Sequence, residues 1–137
     1  VEAERKRQED IQRQREENER RRREMEAEER QAEIDAETRR LAAEGSPAML
    51  VYRNMIMQKI RRNWAMPASV TPETECVVMV RQTRTGEVIS ARITSCNGDD
   101  AVKRSIEAAV MKASPMPKPS SQDLFRAELR ITMRPPQ

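Results

Sequence analysis

CVVMVRQTRTGEVISARITSC, residues 76–96, reads as two β-strands joined by a turn. Residues 76–80 are short, apolar and rich in β-branched side chains, and Arg84-Thr85-Gly86 supplies the turn. Residues 88–95 return as a second strand, with Ile89, Ala91 and Ile93 expected on one face. Cys76 opens the first strand and Cys96 follows the second, so an antiparallel hairpin centred near Thr85 and Gly86 sets them nearly opposite each other. Bridged cysteines need Cα atoms about 4.4–6.8 Å apart, a separation that neighbouring strands provide. A disulfide is the expectation, with two buried thiols as the alternative. A bridge implies an oxidising compartment such as the periplasm. Redox-active thiols are not expected, because there is no Cys-x-x-Cys spacing and no histidine.

Working outward, Asn97-Gly98-Asp99 punctuates the chain and offers a cap for a helix with Val102, Ile106, Ala109, Val110 and Ala113 on one side. Three prolines at alternate positions, Pro115, Pro117 and Pro119, then enforce an extended segment. The last element has the cleanest pattern: Phe125, Ala127, Leu129, Ile131 and Met133 alternate with Arg126, Glu128, Arg130, Thr132 and Arg134. That is a strand with one buried and one wet face. Upstream of the hairpin, Met49, Tyr52, Ile56, Ile60 and Trp64 form an apolar helix stripe, with Arg53, Lys59, Arg61 and Arg62 off it. Gly45-Ser46-Pro47 precedes that helix: Gly45 is expected at the C′ position of the segment before, Ser46 as the cap and Pro47 at the first helical position. A right-handed crossover would lay the last strand parallel to the second. Placed beside the first instead, it completes an antiparallel sheet in the order 2-1-3. The expected class is α+β: a three-stranded antiparallel sheet with helices on one face, preceded by a long polar helix.

That polar helix is residues 1–44. The segment has no proline or glycine and carries twelve Lys/Arg against fifteen Asp/Glu, a net charge of −3. Acidic residues precede basic ones by four at Glu2–Lys6, Glu9–Arg13, Glu16–Arg20, Glu17–Arg21, Glu19–Arg23, Glu26–Arg30 and Asp35–Arg39. In that orientation each pair favours a helix by roughly 0.2–0.5 kcal/mol. Ile11, Asn18, Met25 and Ala32 are the best seam for a partner helix, but the matching row of Arg7, Gln14, Arg21, Glu28 and Asp35 is wholly polar. A solvated spacer is expected, with a weak coiled coil or disorder as alternatives. Nucleic acid is not an expected partner, since the arginines alternate with glutamates and no aromatics are available for stacking.

Residues 45–137 carry a net charge of +6 and form the candidate folded domain. Across all 137 residues there is no histidine and there are only three glycines, which argues against Ser/His or Cys/His catalysis, common zinc sites and Gly-rich phosphate loops. No catalytic residue, cofactor, metal or small-molecule substrate is expected. No run approaches the ~20 apolar residues of a membrane helix. Because the sequence begins at Val1, it is expected to be part of a longer chain whose anchor lies elsewhere.

Taken together, the Tyr52, Ile56, Ile60, Trp64 stripe, Cys76, Thr85-Gly86-Glu87, Cys96 and the stretch from Pro115 to Ser120 resemble the TolA family of the Tol–Pal envelope system. The resemblance extends to the charged arm, although that family's linker is often richer in Ala and Lys. It implies a periplasmic fragment of an inner-membrane-anchored, non-enzymatic adaptor. Such an adaptor contacts TolQ and TolR through its anchor and TolB, with Pal, at its far end, and serves outer-membrane integrity and cell division. Colicins and the phage minor coat protein exploit the same domain for entry. A TonB-like transducer to outer-membrane transporters is the nearest competitor, although its linker is usually Pro-rich, and a passive helical scaffold is a third reading. An open sheet edge suits strand addition by an extended peptide. The expected contact surface is the final strand, at Leu124, Arg126, Glu128, Arg130, Thr132 and Arg134, with the arginines facing outward toward acidic partner segments.

Overall fold

The computed structural model describes residues 1–136. The chain divides into two compact units, residues 1–41 and 42–137. Helix α1, Glu2–Glu44, has no buried residue, as its all-round polarity demands. Of the expected spacing-four pairs, Glu17–Arg21 closes at 3.1 Å and Glu19–Arg23 at 3.4 Å. Glu2 pairs with Arg5, one turn position short of Lys6, at 2.7 Å. The Arg22 guanidinium donates to Glu19 at 2.5 Å, which holds that carboxyl below its usual range and raises the guanidinium.

The second unit begins with the last turn of α1. Ser46 closes that turn and opens the next helix. Its amide and hydroxyl both donate to the Ala43 carbonyl, at 3.1 and 2.7 Å, while its Oγ accepts from the Met49 amide at 3.2 Å. Gly45 does not take the left-handed conformation expected of a glycine cap; Gly86 is the glycine with positive φ. With Pro47 at its first position, α2 runs Pro47–Arg62 and buries Met49, Tyr52, Ile56 and Ile60. Trp64 follows, its indole N–H donating to the Ser105 hydroxyl at 2.8 Å. Helix α3, Asp100–Lys112, buries Val102, Ile106, Ala109 and Val110, and its Asp99 cap accepts from the Val102 amide at 3.0 Å. That bond, with help from the Ser69 hydroxyl, keeps the Asp99 carboxyl below its usual range.

Strands β1 (Cys76–Gln82), β2 (Val88–Cys96) and β3 (Glu128–Met133) form one sheet in the order β2-β1-β3, antiparallel throughout. Cys76, Val78, Val80, Leu129, Ile131 and Met133 point to the same buried face, against α2 and α3. The helices therefore cover one side, as the patterning required. Cys76 and Cys96 are register partners joined by a disulfide.

Two details depart from simple alternation. The β1–β2 register steps at Val77/Val78 and at Arg81/Gln82, which leaves Thr94 and Ile89 as the extra residues of two bulges on β2. Ile89 is consequently turned out of the core and is 55% exposed, while Val88, Ala91, Ile93 and Cys96 pack inward. The second departure precedes β3. Residues Gln122–Leu124 form a 3-10 turn, so the strand begins at Glu128. In this connection the alternation inverts: Arg126 is buried and Ala127 exposed.

At the hairpin turn Gly86 has φ +91° and its carbonyl accepts from the Met116 amide at 2.7 Å. A Cβ there would lie 2.5 Å from the Met116 carbonyl oxygen. Glycine is required by both conformation and contact.

Candidate functional site

The two sheet edges differ in how much backbone they leave unpaired. The Gln82 amide donates to the Ala127 carbonyl at 2.9 Å, which fixes the parity of the β1–β3 ladder. With the register unbroken from Cys76↔Met133 to Arg81↔Glu128, Leu129, Ile131 and Met133 exchange bonds with β1. The backbone N–H and C=O groups of Glu128, Arg130 and Thr132 therefore face the open edge. On β2, by contrast, two bulges break the outer row, and the Val88 amide already donates to the Ser114 hydroxyl at 3.0 Å. Bulges are a recognised means of blunting an edge. The regular, unblocked edge is β3.

Side chains around β3 are mostly basic. Arg134 pairs with Glu75 at 3.2 Å and Glu128 with Arg81 at 3.5 Å, both exposed, whereas Arg130 forms no ion pair among the described residues. Beside the edge, a groove of about 370 Å³ runs between α2 and β3, lined by Leu50, Arg53, Asn54 and Met57 on the helix and by Arg130, Ile131, Thr132 and Arg134 on the strand. A larger hollow of about 680 Å³, walled by Met66, Pro67, Val70, Pro72, Pro135 and Pro136, is lined by no ionisable side chain among the described residues. Among the described residues no group of three or more acidic, Cys or His side chains is arranged to hold a metal.

The six residues assigned to partner contact by sequence fall into two sets. Glu128, Arg130, Thr132 and Arg134 are exposed, on or just beyond β3. Leu124 is buried in the 3-10 turn, and Arg126 is only 5% exposed, so its expected outward orientation is corrected. The reason is a polar network around the buried Arg126 side chain that spacing within the strand does not reveal. Arg126 Nε and Nη2 both donate to Glu44 Oε2, at 3.2 and 3.0 Å, and Nη1 donates to the Asp123 and Phe125 carbonyls at 2.7 and 2.9 Å. Glu44 Oε1 takes a further bond from Arg53 at 3.0 Å. Next to this network the Gln82 side-chain Nε2 donates to the Tyr52 hydroxyl and to the Arg126 carbonyl, each at 2.9 Å. Burial raises the Tyr52 phenol above its usual pKa, against the opposing influence of the Gln82 bond and the Arg126 charge. Glu44 and Arg53 were legible only as generic charged positions; Gln82, polar at a buried position of β1, was the available signal.

A family model described as TonB C terminal matches residues 51–133. No curated protein sequence matches the chain. Among solved structures, the chain is similar to the solution NMR structure of TolAIII bound to a peptide derived from the N-terminus of TolB. The TM-score is 0.59 at 20% identity, over 68% of this chain and 79% of that one. It also matches the solution NMR structure of the Helicobacter pylori TonB C-terminal domain with a TM-score of 0.45 and 17% identity, over 66% of this chain and 94% of that one. At such identities the likeness to TolAIII is one of fold.

Proposed function

The chain belongs to the TonB C-terminal family, whose domains transduce energy and are not enzymes, and on that premise we propose that it is the periplasmic part of a TolA-like adaptor that grips its partner by strand addition on β3. The supporting observation is the unpaired, unbulged backbone row of Glu128, Arg130 and Thr132. A partner segment in extended form satisfies that row with main-chain hydrogen bonds, and adjacent side-chain sites select among partners. The structural likeness to TolAIII bound to a TolB peptide supports an N-terminal segment of TolB as the occupant; Pal is proposed as a further partner from the sequence resemblance alone.

In this reading residues 1–44 are the end of a periplasm-spanning spacer and residues 45–137 the binding domain. A membrane anchor elsewhere in the parent chain engages TolQ and TolR, which harvest proton-motive force. No helix among the described residues is long and apolar enough to cross a membrane. The movement so transmitted maintains outer-membrane integrity and supports cell division, and colicins and phage minor coat protein use the same domain for entry. A second reading, as a transducer to outer-membrane transporters, draws on the description of the matching family.

Thr132→Pro tests the mode of binding. Proline at an outward-facing edge position removes a donor needed by an added strand without breaking a ladder bond to β1. Calorimetry with the TolB N-terminal peptide of the same organism should show at least about a tenfold loss of affinity, with the melting temperature nearly unchanged. Undiminished binding by the folded variant would remove β3 from the site. Absence of binding by the unaltered chain, together with binding to a transporter's periplasmic peptide, would favour the second reading.

A further inference from the structure

We infer that the added strand must carry an acidic side chain two positions from an aliphatic one, and that Arg53 of α2 is the residue that selects the acid. This rests on strand addition at β3 and names the chemistry of its occupant.

Side chains of a strand laid along β3 alternate between the open face of the sheet and the side covered by α2. Positions on the α2 side enter the groove, where Leu50, Arg53 and Met57 present themselves at i, i+3 and i+7 along one helix face. Leu50 is 67% exposed, an aliphatic contact with nothing covering it. Between Leu50 and Met57 on α2 stands the Arg53 guanidinium. Of its five N–H donors, one bonds Glu44 among the described residues, and its Nε has no partner. About a third of the Arg53 side chain remains exposed. Arg130 and Arg134 border the groove on the strand side, and among the described residues no carboxylate lines it. Successive α2-side positions of an added strand lie two residues apart. An aliphatic residue on Leu50 or Met57 therefore places the next α2-side residue toward Arg53, where a carboxylate gains charge-assisted hydrogen bonds in a partly desolvated groove. Glu44 shares this guanidinium, so Arg53 holds the occupant's acid while still tied to the last turn of α1.

The test pans a display library of proline-free ten-residue peptides against the full 137-residue chain. Selected peptides are retained if they shift the backbone amides of Glu128, Arg130 and Thr132 in NMR spectra. The retained set should be enriched in Asp or Glu two positions from Leu, Ile or Val. Replacing that Asp by Asn should cost about tenfold in affinity for the unaltered chain, and less than about twofold for Arg53→Gln. Both proteins should bind the Asn peptide equally, which verifies that the variant is folded. Retained peptides with no acidic preference, or an equal Asp-to-Asn cost in Arg53→Gln, would overturn the role of Arg53 while leaving strand addition intact. If no selected peptide shifts the β3 amides, strand addition itself fails and this inference with it.

Discussion

Strands β2 and β3 flank the same central strand, and both carry isoleucine (Ile89 and Ile93 on β2, Ile131 on β3), yet the outer row of one is interrupted and that of the other is continuous. β2 carries two bulges, a disulfide at its end and a hydroxyl cap on its first amide. β3 keeps a continuous register and an unblocked outer row. The difference teaches that edge availability is decided by backbone regularity more than by side-chain hydrophobicity. A regular edge with charged side chains resists indiscriminate association while remaining a template for a specific extended segment.

The sharpest way to break this comparison is to treat two isoleucines alike. Ile131→Ala on β3 removes a 2% exposed side chain from the core and should cost about 2–5 kcal/mol in chemical denaturation. Ile89→Ala, at the β2 bulge, should change stability by no more than about 0.5 kcal/mol. Equal costs would mean that β2 is not bulged in solution. Next in size is the covalent staple. Replacing both Cys76 and Cys96 by Ser opens a loop of sequence separation 20 and should cost about 3 kcal/mol. Amide exchange should quicken first in β2, and a uniform acceleration across β3 would contradict the separate anchoring of the two edges.

Each edge also has its own supporting helix. Ser46→Ala removes the cap of α2, which backs β3, and should lower stability by about 1 kcal/mol. The smallest effect concerns Asp99, the cap of α3 behind β2. Its folded pKa lies below the unfolded value of about 3.9. Its contribution is therefore present above that pH and is lost as pH falls through the folded value. Asp99→Asn keeps a capping oxygen but should flatten this part of the pH dependence below about pH 4. An unchanged acid profile would show that the charge of Asp99 adds nothing to the cap.

Much of this architecture was legible before any coordinates. The hairpin and both apolar helix stripes follow from turn residues and from periodicities that burial enforces along whole elements; the turn position set Cys76 and Cys96 nearly opposite, and the antiparallel 2-1-3 sheet was one of two placements open to the last strand. The failures are local and share a cause. Strict alternation sets Ile89 on one face with Ala91 and Ile93 because it has no means of showing a bulge, which arises only when β2 meets β1. Arg126 was placed outside by extending the β3 pattern backward across a 3-10 turn. Its burial depends on Glu44, 82 residues earlier in the chain. Arg53, off the apolar stripe of α2, gained its significance only once the fold set it beside the β3 edge. Patterns within an element, and partnerships across a tight turn, were readable; side-chain partnerships between elements far apart in the chain were not.

Hydrogen–deuterium exchange on the full chain, with and without the TolB N-terminal peptide of the same organism, is the most direct test of edge selection. Bound peptide should slow exchange at the outward-facing amides of Glu128, Arg130 and Thr132, while the edge amides of Ala91 and Ile93 on β2 keep their free rates. Protection on β2 with none on β3 would contradict the account.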